Sequence, residues 1–425
     1  MSKGNVQPAR GMRDFLPDDA EFRDAVESKI VSVYRSHGYR KIETPTMEAI
    51  DLLTAGNGGE NEKLIFKIIK RGEKLNLNPG ATEASIVEYG LRFDLTLPLT
   101  RFFACNVSNL VLPFKSIQVG PVWRAERPQR GRFRQFVQCD IDIIGEESML
   151  AEVDLITTTA RCLESFGLER FTIRINDRRL LEGLLSSLGF QVADHSSVMI
   201  ALDKLDKIGI DGVEAELNRF DKKSVHELVE FMKLSVDSPA RMAEHFSESE
   251  RQSCADALNR LQSVIDATVN LSEQKYQIIF DPYLVRGMGY YTGQIFEISY
   301  KNFPFSIAGG GRYDRMIGNL LGRDTPACGF SIGFERLIDV LRDERRSLDG
   351  TARKAVVLFE DERDLCAAHE KAASLRDSFE VVDVARKRGN HRSQLAAFER
   401  QGYGYTFHFR SGVWTQSALG AKEVD

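Results

Sequence analysis

One short stretch of the chain carries an unusual density of arginine. Five arginines fall within residues 124–134, interrupted by proline and glycine, and Phe133 and Phe136 lie beside them. Guanidinium forks match phosphate oxygens, and an aromatic ring near arginines suits stacking on a purine. A solvated basic loop between two strands is the alternative, because proline and glycine favour turns. The composition therefore indicates either a nucleotide phosphate site or an exposed hairpin loop.

Two segments alternate apolar and polar residues, as strands with one polar face do. The polar positions are Arg92, Asp94 and Thr96 in residues 91–97, and Gln138, Asp140 and Asp142 in residues 138–143. Two acids and an amide on one face are suited to holding an amino group or a ring that donates hydrogen bonds. Each polar face is either a cleft wall or a solvated surface. If the strands pair in an antiparallel sheet, both faces line one cleft.

Three glycine-bearing segments complete the candidate chemistry. Residues 284–293 place three glycines around Tyr290 and Tyr291, and glycine allows close approach of a backbone to a ligand. A turn with two packing tyrosines is the alternative. Residues 308–314 match neither G-x-G-x-x-G nor the phosphate-loop pattern, which disfavours a nicotinamide or phosphate-loop enzyme. Residues 329–336 predict a strand leading into a helix that begins with an acid and an arginine.

The surrounding periodicity predicts the elements that must position these residues. In chain order it predicts a strand-rich block at 66–144, a helix at 148–166, a strand at 171–175, a long helical stretch at 180–271, and strands at 276–280 and 294–300. The helical stretch has few glycines and aromatic residues and no cluster that suggests catalysis. We interpret it as an inserted helical module.

The end of the chain predicts a separate small domain. A polar segment of linker type precedes alternating elements. These are strands at 355–359, 380–385 and 405–409 and helices at 362–378 and 391–401. The alternation predicts an α/β fold with a partly parallel sheet.

Bulk composition excludes several classes of protein. The net charge is −5, which argues against a general nucleic-acid coat but leaves a local basic surface possible. The six cysteines form no C-x-x-C pair and the seven histidines are scattered, so we expect no metal site and no disulfide framework. Apolar runs stay well below the roughly 20 residues that span a bilayer, and the first ten residues lack a signal-peptide pattern. We expect a cytoplasmic protein.

Taken together, the segments resemble the histidyl-tRNA synthetases, which are class II aminoacyl-tRNA synthetases. The resemblance covers roughly residues 8–340 and, more weakly, the tail. Residues 10–17 (RGMRDFLP) resemble the opening motif of the family. Residues 38–45, 124–140 and 329–336 resemble class II motifs 1, 2 and 3, and residues 94–96, 286–292 and 308–314 resemble segments specific to the histidine enzyme.

The resemblance implies a fold, an activity and partners. The fold is α+β: a class II antiparallel sheet flanked by helices. It implies a catalytic core at 1–180 and 272–342, a helical insertion at 181–271, a linker at 343–353 and a short α/β domain of anticodon-binding type at 354–425. The implied activity is ATP-dependent ligation of L-histidine to histidine tRNA through histidyl-adenylate, with Mg²⁺ accompanying ATP. The family uses motif 1 at a dimer interface, which implies a homodimer.

The resemblance also assigns roles to individual residues. Arg124 and Arg286 are the catalytic arginines, which bind the α-phosphate of ATP. The residues implied for histidine are Asp94, Thr96 and Gln138 at the α-amino group and Asp142, Tyr291 and Tyr290 around the imidazole. Those implied for the rest of ATP are Glu126 at the adenine amino group, Phe136 and Arg336 on the faces of the ring, and Arg132 at the terminal phosphates.

Two departures keep alternatives open. The family usually reads Arg-Gly-Leu-Asp-Tyr-Tyr, whereas Gly289 stands here in place of the aspartate. The tail spans about 70 residues, somewhat shorter than the usual anticodon-binding domain. One alternative is therefore a paralogue that makes histidyl-adenylate for an acceptor other than tRNA. Another is a regulatory subunit of ATP phosphoribosyltransferase, although such proteins typically lose catalytic residues that are present here. A plain nucleotide-binding module is the third.

Overall fold

A computed structural model gives the structure of the chain and describes residues 6–54, 61–128, 132–285, 291–345, 353–410 and 412–419. The chain divides into two compact units. The first contains Met1–Phe15 and Arg23–Arg346, and the second contains Leu16–Phe22 and Ser347–Asp425. Every residue that the sequence singled out for chemistry falls in the first unit.

The strands of the first unit form one large sheet and one small sheet. In chain order they are β1 (Arg40–Lys41), β2 (Met47–Ala49), β3 (Lys67–Ile69), β4 (Val87–Leu91), β5 (Phe114–Trp123), β6 (Gln135–Ile144), β7 (Thr172–Asp177), β8 (Gln277–Phe280), β9 (Gln294–Ser299), β10 (Ala308–Arg312) and β11 (Ala327–Gly333). The large sheet has the order β1-β5-β6-β11-β10-β9-β7-β8, and the small one has the order β2-β4-β3.

The large sheet is antiparallel from β5 through β7 and gains one parallel strand at each edge, β1 and β8. This arrangement confirms the predicted fold class. The strands alternate, as the sequence indicated, between a buried apolar face and a polar one. On β6, Cys139, Ile141 and Ile143 are almost fully buried on one face, which leaves the intervening polar residues on the other.

The helices pack around these sheets. They are α1 (Pro17–Ser36), α2 (Ile50–Thr54), α3 (Glu83–Ile86), α4 (Thr96–Asn106), α5 (Leu150–Ser165), α6 (Arg178–Ser187), α7 (Val192–Leu202), α8 (Leu205–Glu216), α9 (Lys222–Met232), α10 (Pro239–Ala243), α11 (Glu248–Ser253), α12 (Ala255–Leu271), α13 (Asp314–Leu321) and α14 (Phe334–Asp343). Seven of these, α6 to α12, occupy the chain between the two parallel strands β7 and β8.

The prediction of one continuous strand over residues 91–97 is wrong. Strand β4 ends at Leu91, and helix α4 begins at Thr96. Asp94 accepts a hydrogen bond of 3.2 Å from the backbone nitrogen of Leu97, and Pro98 lies in the first helical turn. An aspartate before a helix and a proline in its first turn are helix start signals, which here outweigh the alternating pattern.

The second unit is a small α/β fold. Its elements are β12 (Lys354–Phe359), α15 (Leu365–Leu375), β13 (Val381–Arg386), α16 (His391–Arg400), β14 (Tyr403–Arg410) and β15 (Val413–Ala418). Strand β12 pairs in parallel with β13 and β14, and β15 adds an antiparallel edge to β14. Strand β15 was not predicted from the sequence. Its six residues are mostly exposed, so they lack the apolar alternation that identifies a buried strand.

Two further properties concern the described residues alone. Each of their helices is too short or too polar to traverse a bilayer. They also bring no three histidine, cysteine, aspartate or glutamate side chains together in a way that could hold a metal ion.

Candidate active site

A single large cleft of about 2300 Å³ in the first unit collects the predicted site residues. Ten of the twelve line it: Asp94, Thr96, Arg124, Glu126, Arg132, Phe136, Gln138, Asp142, Tyr291 and Arg336. The other two, Arg286 and Tyr290, lie outside the described residues. Stretches that are far apart in sequence therefore meet around one space.

The floor of the cleft is acidic and is built by β6 against β11. The register places Asp142 opposite Gly329 and Asp140 opposite Ser331. A methyl group on Gly329 would lie 2.0 Å from Oδ1 of Asp142, so only glycine leaves room for this carboxylate. The pairing of an acidic strand with a glycine-bearing strand thus opens space at the Asp142 end.

Asp142 is held by a residue that sequence analysis did not assign to the site. The hydroxyl of Tyr313 donates a 2.6 Å hydrogen bond to Oδ1 of Asp142, and both side chains are buried. Burial raises the pKa of Asp142 to about 7, an effect that the Tyr313 hydrogen bond opposes and the nearby charge of Asp94 reinforces. A ligand that donates a hydrogen bond or carries positive charge would therefore favour the ionised carboxylate.

Gln138 presents an oxygen to the cleft. Its Nε2 donates at 3.3 Å to the carboxylate of Asp140 and at 3.3 Å to Oγ of Ser331. These bonds orient the amide, and its Oε1 is buried with no hydrogen-bond partner among the described residues. Buried acceptors in native proteins are almost always satisfied, so this oxygen indicates a donor on a ligand or a water.

Arg124 lies between the two polar segments, residues 91–97 and 138–143, that the sequence identified separately. It follows β5, and its Nε donates a 3.0 Å hydrogen bond to the carbonyl of Phe93. Phe93 directly precedes Asp94, which lies in the turn before α4. The guanidinium carbon also lies 5.0 Å from the ring centroid of Phe136. Arg124 therefore sits between the acidic floor and an aromatic wall.

The arginine-rich segment is a hairpin loop, as predicted. Strands β5 and β6 pair along their full length, and the loop joins their ends. Within it, Arg132 lies 3.4 Å from the carboxylate of Glu126, and Nε of Arg134 donates to the carbonyl of Glu126 at 3.1 Å. Residues 129–131 are outside the described part of the chain. Part of the loop faces the cleft, since Glu126, Arg132 and Phe133 line it.

Arg336 and Tyr291 belong to later parts of the chain, Arg336 to the start of α14 and Tyr291 to the segment before β9. Arg336 lies in the first turn of α14, donates at 2.7 Å to the carbonyl of Ser306, and stacks at 5.3 Å from the ring centroid of Phe305. Phe305 also lines the cleft and was missed by sequence analysis because it stands outside the glycine-bearing segments. Tyr291 packs against Gly311, where an added methyl group would lie 2.9 Å from Cδ1 of the ring.

Arg92 does not lie with Asp94 and Thr96 on a cleft wall, contrary to the prediction. Its Nε donates to the carbonyl of Pro121 at 3.0 Å and its Nη1 to the carbonyl of Thr44 at 2.8 Å. It lines a separate small cavity of about 140 Å³. The strand ends at Leu91, so the two-residue alternation no longer holds beyond it and Arg92 points elsewhere.

Similarity to known proteins gives the family. A family model described as histidyl-tRNA synthetase matches residues 11–337. The chain belongs to the histidyl-tRNA synthetase family. The histidine–tRNA ligase of Leifsonia xyli is 46% identical over 352 residues, which is 79% of this chain and 80% of that protein. The probable histidine–tRNA ligase of Tropheryma whipplei is 42% identical over 418 residues, which is 94% of each.

Solved structures agree with this assignment to the histidyl-tRNA synthetases. The crystal structure of histidyl-tRNA synthetase from Nostoc sp. PCC 7120 superposes with a TM-score of 0.77 at 26% identity and covers 97% of both chains. ATP is a substrate of aminoacyl-tRNA synthetases. The relatives are named as ligases, and the matches do not favour the paralogue with another acceptor or the regulatory subunit.

Proposed function

We propose that this protein joins L-histidine to histidine tRNA, consuming ATP and passing through histidyl-adenylate. One observation carries the proposal: an acidic pocket that suits a cationic amino acid and an arginine-lined wall that suits a nucleotide share one cleft. Asp142, near the end of β6, belongs to the acidic pocket, and Arg124, which directly follows β5, belongs to the arginine-lined wall.

The amino acid would bind at the acidic floor. Asp94, Thr96 and the free Oε1 of Gln138 would accept hydrogen bonds from the α-ammonium group. Asp142 and Tyr291 would bond the two imidazole nitrogens, and Tyr290 would line the same pocket. A side chain that leaves such buried polar groups unpaired is rejected by about 10⁴-fold, so histidine is selected without a separate editing step.

ATP would bind along the arginine wall. Arg124 and Arg286 would hold the α-phosphate. The described residues on either side of segment 286–290, Val285 and Tyr291, both line the cleft, which supports placing Arg286 there. Phe136 and Arg336 would enclose the adenine, Glu126 would accept from its amino group, and Arg132 would bind the terminal phosphates. Mg²⁺ would enter with ATP and neutralise phosphate charge.

The chemistry requires no nucleophile from the protein. A carboxylate oxygen of histidine attacks the α-phosphorus, a new oxygen–phosphorus bond forms, and the bond to the β-phosphate oxygen breaks to release pyrophosphate. A terminal ribose hydroxyl of the tRNA then attacks the carbonyl carbon of the adenylate and releases AMP. The protein contributes by positioning both substrates and by stabilising negative charge on the phosphate with fixed guanidinium groups.

We propose a homodimer formed around residues 38–45. Exposed apolar side chains on the neighbouring small sheet, Met47, Ile69 and Tyr89, support an interface there. We further propose that helices α6 to α12 form the insertion domain at 181–271, that residues 354–425 bind the anticodon after the linker at 343–353, and that the protein acts in the cytoplasm.

Charging of a histidine tRNA transcript tests the proposal and separates it from the alternatives. The expected result is histidine-dependent pyrophosphate exchange together with charged tRNA. Exchange without charging would favour a paralogue with another acceptor. Absence of both, with binding to a phosphoribosyltransferase, would favour a regulatory subunit.

A single substitution tests the role of Arg286. Arg286→Ala is expected to abolish pyrophosphate exchange while the thermal unfolding of the protein is unchanged. Arg219→Ala is the matched control, because Arg219 is exposed on the helical stretch and does not line the cleft. Normal exchange in the Arg286 variant would refute the assigned role.

A further inference from the structure

The opening segment, residues 10–17, has no part in the function proposed above, yet it contacts both walls of the proposed ATP site. The second of its two arginines, Arg13, contacts both α14 and the arginine hairpin. Arg23, on α1, reaches α14 as well. These contacts meet at a buried carboxylate, that of Glu335, beside Arg336.

Glu335 joins three parts of the unit. Its carboxylate accepts from Nη2 of Arg13 at 2.6 Å and from Nη1 and Nη2 of Arg23, each at 2.7 Å. The backbone nitrogen of Val137 donates to Oε1 at 3.4 Å. Val137 follows Phe136 on β6, and Arg336 follows Glu335 on α14. Glu335 is therefore the sequence neighbour of Arg336 and is hydrogen-bonded to the sequence neighbour of Phe136, the two residues proposed to enclose adenine.

Arg13 makes a second contact that Arg23 does not share. Its guanidinium carbon lies 3.5 Å from the ring centroid of Phe133, a cleft-lining residue of the hairpin. Next to it, the backbone nitrogen of Arg134 donates to the carbonyl of Gly11 at 2.8 Å. A planar cation stacked on an aromatic ring and paired with a carboxylate is held at both its face and its edge. Arg13 thus ties the hairpin to the start of α14.

We propose that Arg13 is a positioning residue for ATP: it fixes the hairpin through Phe133 and α14 through Glu335, and so sets the affinity for the nucleotide but not for histidine. The proposal rests on the function proposed above. Of the residues proposed to bind histidine, Gln138 is held by Asp140 and Ser331 and Asp142 is held by Tyr313, so loss of Arg13 leaves these hydrogen bonds in place.

Arg23 is the structural member of the pair. Its side chain is 11% exposed, against 37% for Arg13, and its guanidinium lies between the rings of Phe15 and Phe334. Removing one partner of a buried ion pair leaves an uncompensated charge, which strongly destabilises the fold. Arg23 still neutralises Glu335 when Arg13 is replaced. Arg13 therefore offers the cleaner test.

The test is steady-state pyrophosphate exchange by the full chain carrying Arg13→Met. We expect the KM for ATP to rise at least five-fold, the KM for histidine to stay within two-fold, and thermal unfolding to stay near that of the unchanged protein. Arg13→Lys, which keeps the charge but not the planar stack, is expected to give an intermediate KM for ATP. Arg161→Met is the matched control, since Arg161 forms surface ion pairs outside the cleft.

A second variant and a binding measurement make the test decisive. Phe133→Leu is expected to raise the KM for ATP as Arg13→Met does, and the double variant is expected to be no worse than the poorer single one. A KM for ATP unchanged in a folded Arg13→Met protein, or equal rises for ATP and histidine, would overturn the proposal. Titration calorimetry with ATP alone decides the same question if the protein binds ATP but catalyses no exchange, a result that would refute the proposed function instead.

Discussion

The hydroxyl of Tyr313 donates a 2.6 Å hydrogen bond to the carboxylate of Asp142 at the floor of the cleft. Burial raises the pKa of Tyr313 well above its ordinary value, so the phenol stays protonated and remains a donor at neutral pH. The same bond lowers the pKa of Asp142, which burial raises to about 7. The ionisation of the Asp142 carboxylate therefore depends on the ligand that binds beside it.

Replacing Tyr313 by phenylalanine tests this relationship. A buried acceptor that loses a donor costs about 1–3 kcal/mol, so we expect the KM for histidine to rise roughly ten-fold. Because the lost bond lowered the pKa of Asp142, the pH below which the KM for histidine rises should move upward. The KM for ATP should not change. Tyr276→Phe is the control, because Tyr276 is a buried tyrosine outside the cleft lining; an equal effect there would contradict the assignment.

The raised pKa of Asp142 also predicts a pH-dependent cost in stability. Burial disfavours the charged form in the folded state, so the folded protein holds the proton up to about pH 7 and the unfolded chain only up to about 3.8. Stability contributed by this group therefore falls as pH rises between these values and is constant above them. Asp142→Asn, which keeps the acceptor for Tyr313, should stabilise the first unit by on the order of 3 kcal/mol at pH 8 and by roughly half of that or less at pH 5.

Scanning calorimetry at the two pH values measures this effect as a rise of several degrees in the unfolding midpoint at pH 8. Histidine-dependent exchange should be lost in the same variant. Asp211→Asn, at an exposed position on α8, is the control and should show no pH-dependent gain. A larger gain at pH 5 than at pH 8 would contradict the direction of the pKa change.

Two glycines on neighbouring strands should respond differently to alanine. At Gly329 the new methyl group would lie 2.0 Å from the Asp142 carboxylate, whereas at Gly310 it would lie 2.1 Å from the backbone carbonyl of Gly329. A side chain moves more readily than a sheet backbone. Gly329→Ala should therefore yield a folded protein with impaired histidine affinity, and Gly310→Ala a destabilised one. Thermal unfolding and histidine KM together distinguish them, and the reverse pattern would count against the packing described.

Arg92 illustrates which parts of the site could be predicted from the sequence and which could not. The acidic face of β6 was predictable, because polar and apolar residues alternate strictly over residues 138–143 of this strand. The position of the Arg92 side chain was not predictable, because it depends on where β4 ends and on the carbonyl groups of Thr44 and Pro121, which lie far away in sequence. Alternation alone cannot show that a helix starts at Thr96, four residues after Arg92.

Tertiary partners account for the other omissions. Tyr313 lies in a segment that the sequence identified, but it directly follows β10, and only the pairing of β10 with β11 and of β11 with β6 brings it to Asp142. Glu335 reads as an ordinary acid at a helix start, where it also complements the helix dipole. Its partners Arg13 and Arg23 are separated from it by more than 300 residues, so no local pattern could have linked them.

Arg92→Lys tests the role assigned to this arginine by the structure. Lysine lacks the planar fork that reaches two carbonyl groups at once, so we expect a loss of about 1–3 kcal/mol of stability and a higher KM for histidine. The second effect follows because Arg92 lies next to Phe93, which holds Arg124, and two residues from Asp94. Arg161→Lys, at a surface ion pair, should change neither quantity. An unchanged unfolding midpoint in Arg92→Lys would contradict this structural role of Arg92.

The arrangement of histidine and ATP in one cleft is best tested by a crystal structure of the full chain with a non-hydrolysable sulfamoyl analogue of histidyl-adenylate. We expect the imidazole to lie between Asp142 and Tyr291, the sulfamoyl group beside Arg124 and Arg286, and the adenine between Phe136 and Arg336. An analogue bound elsewhere in the cleft, or Arg286 directed away from Arg124, would contradict it.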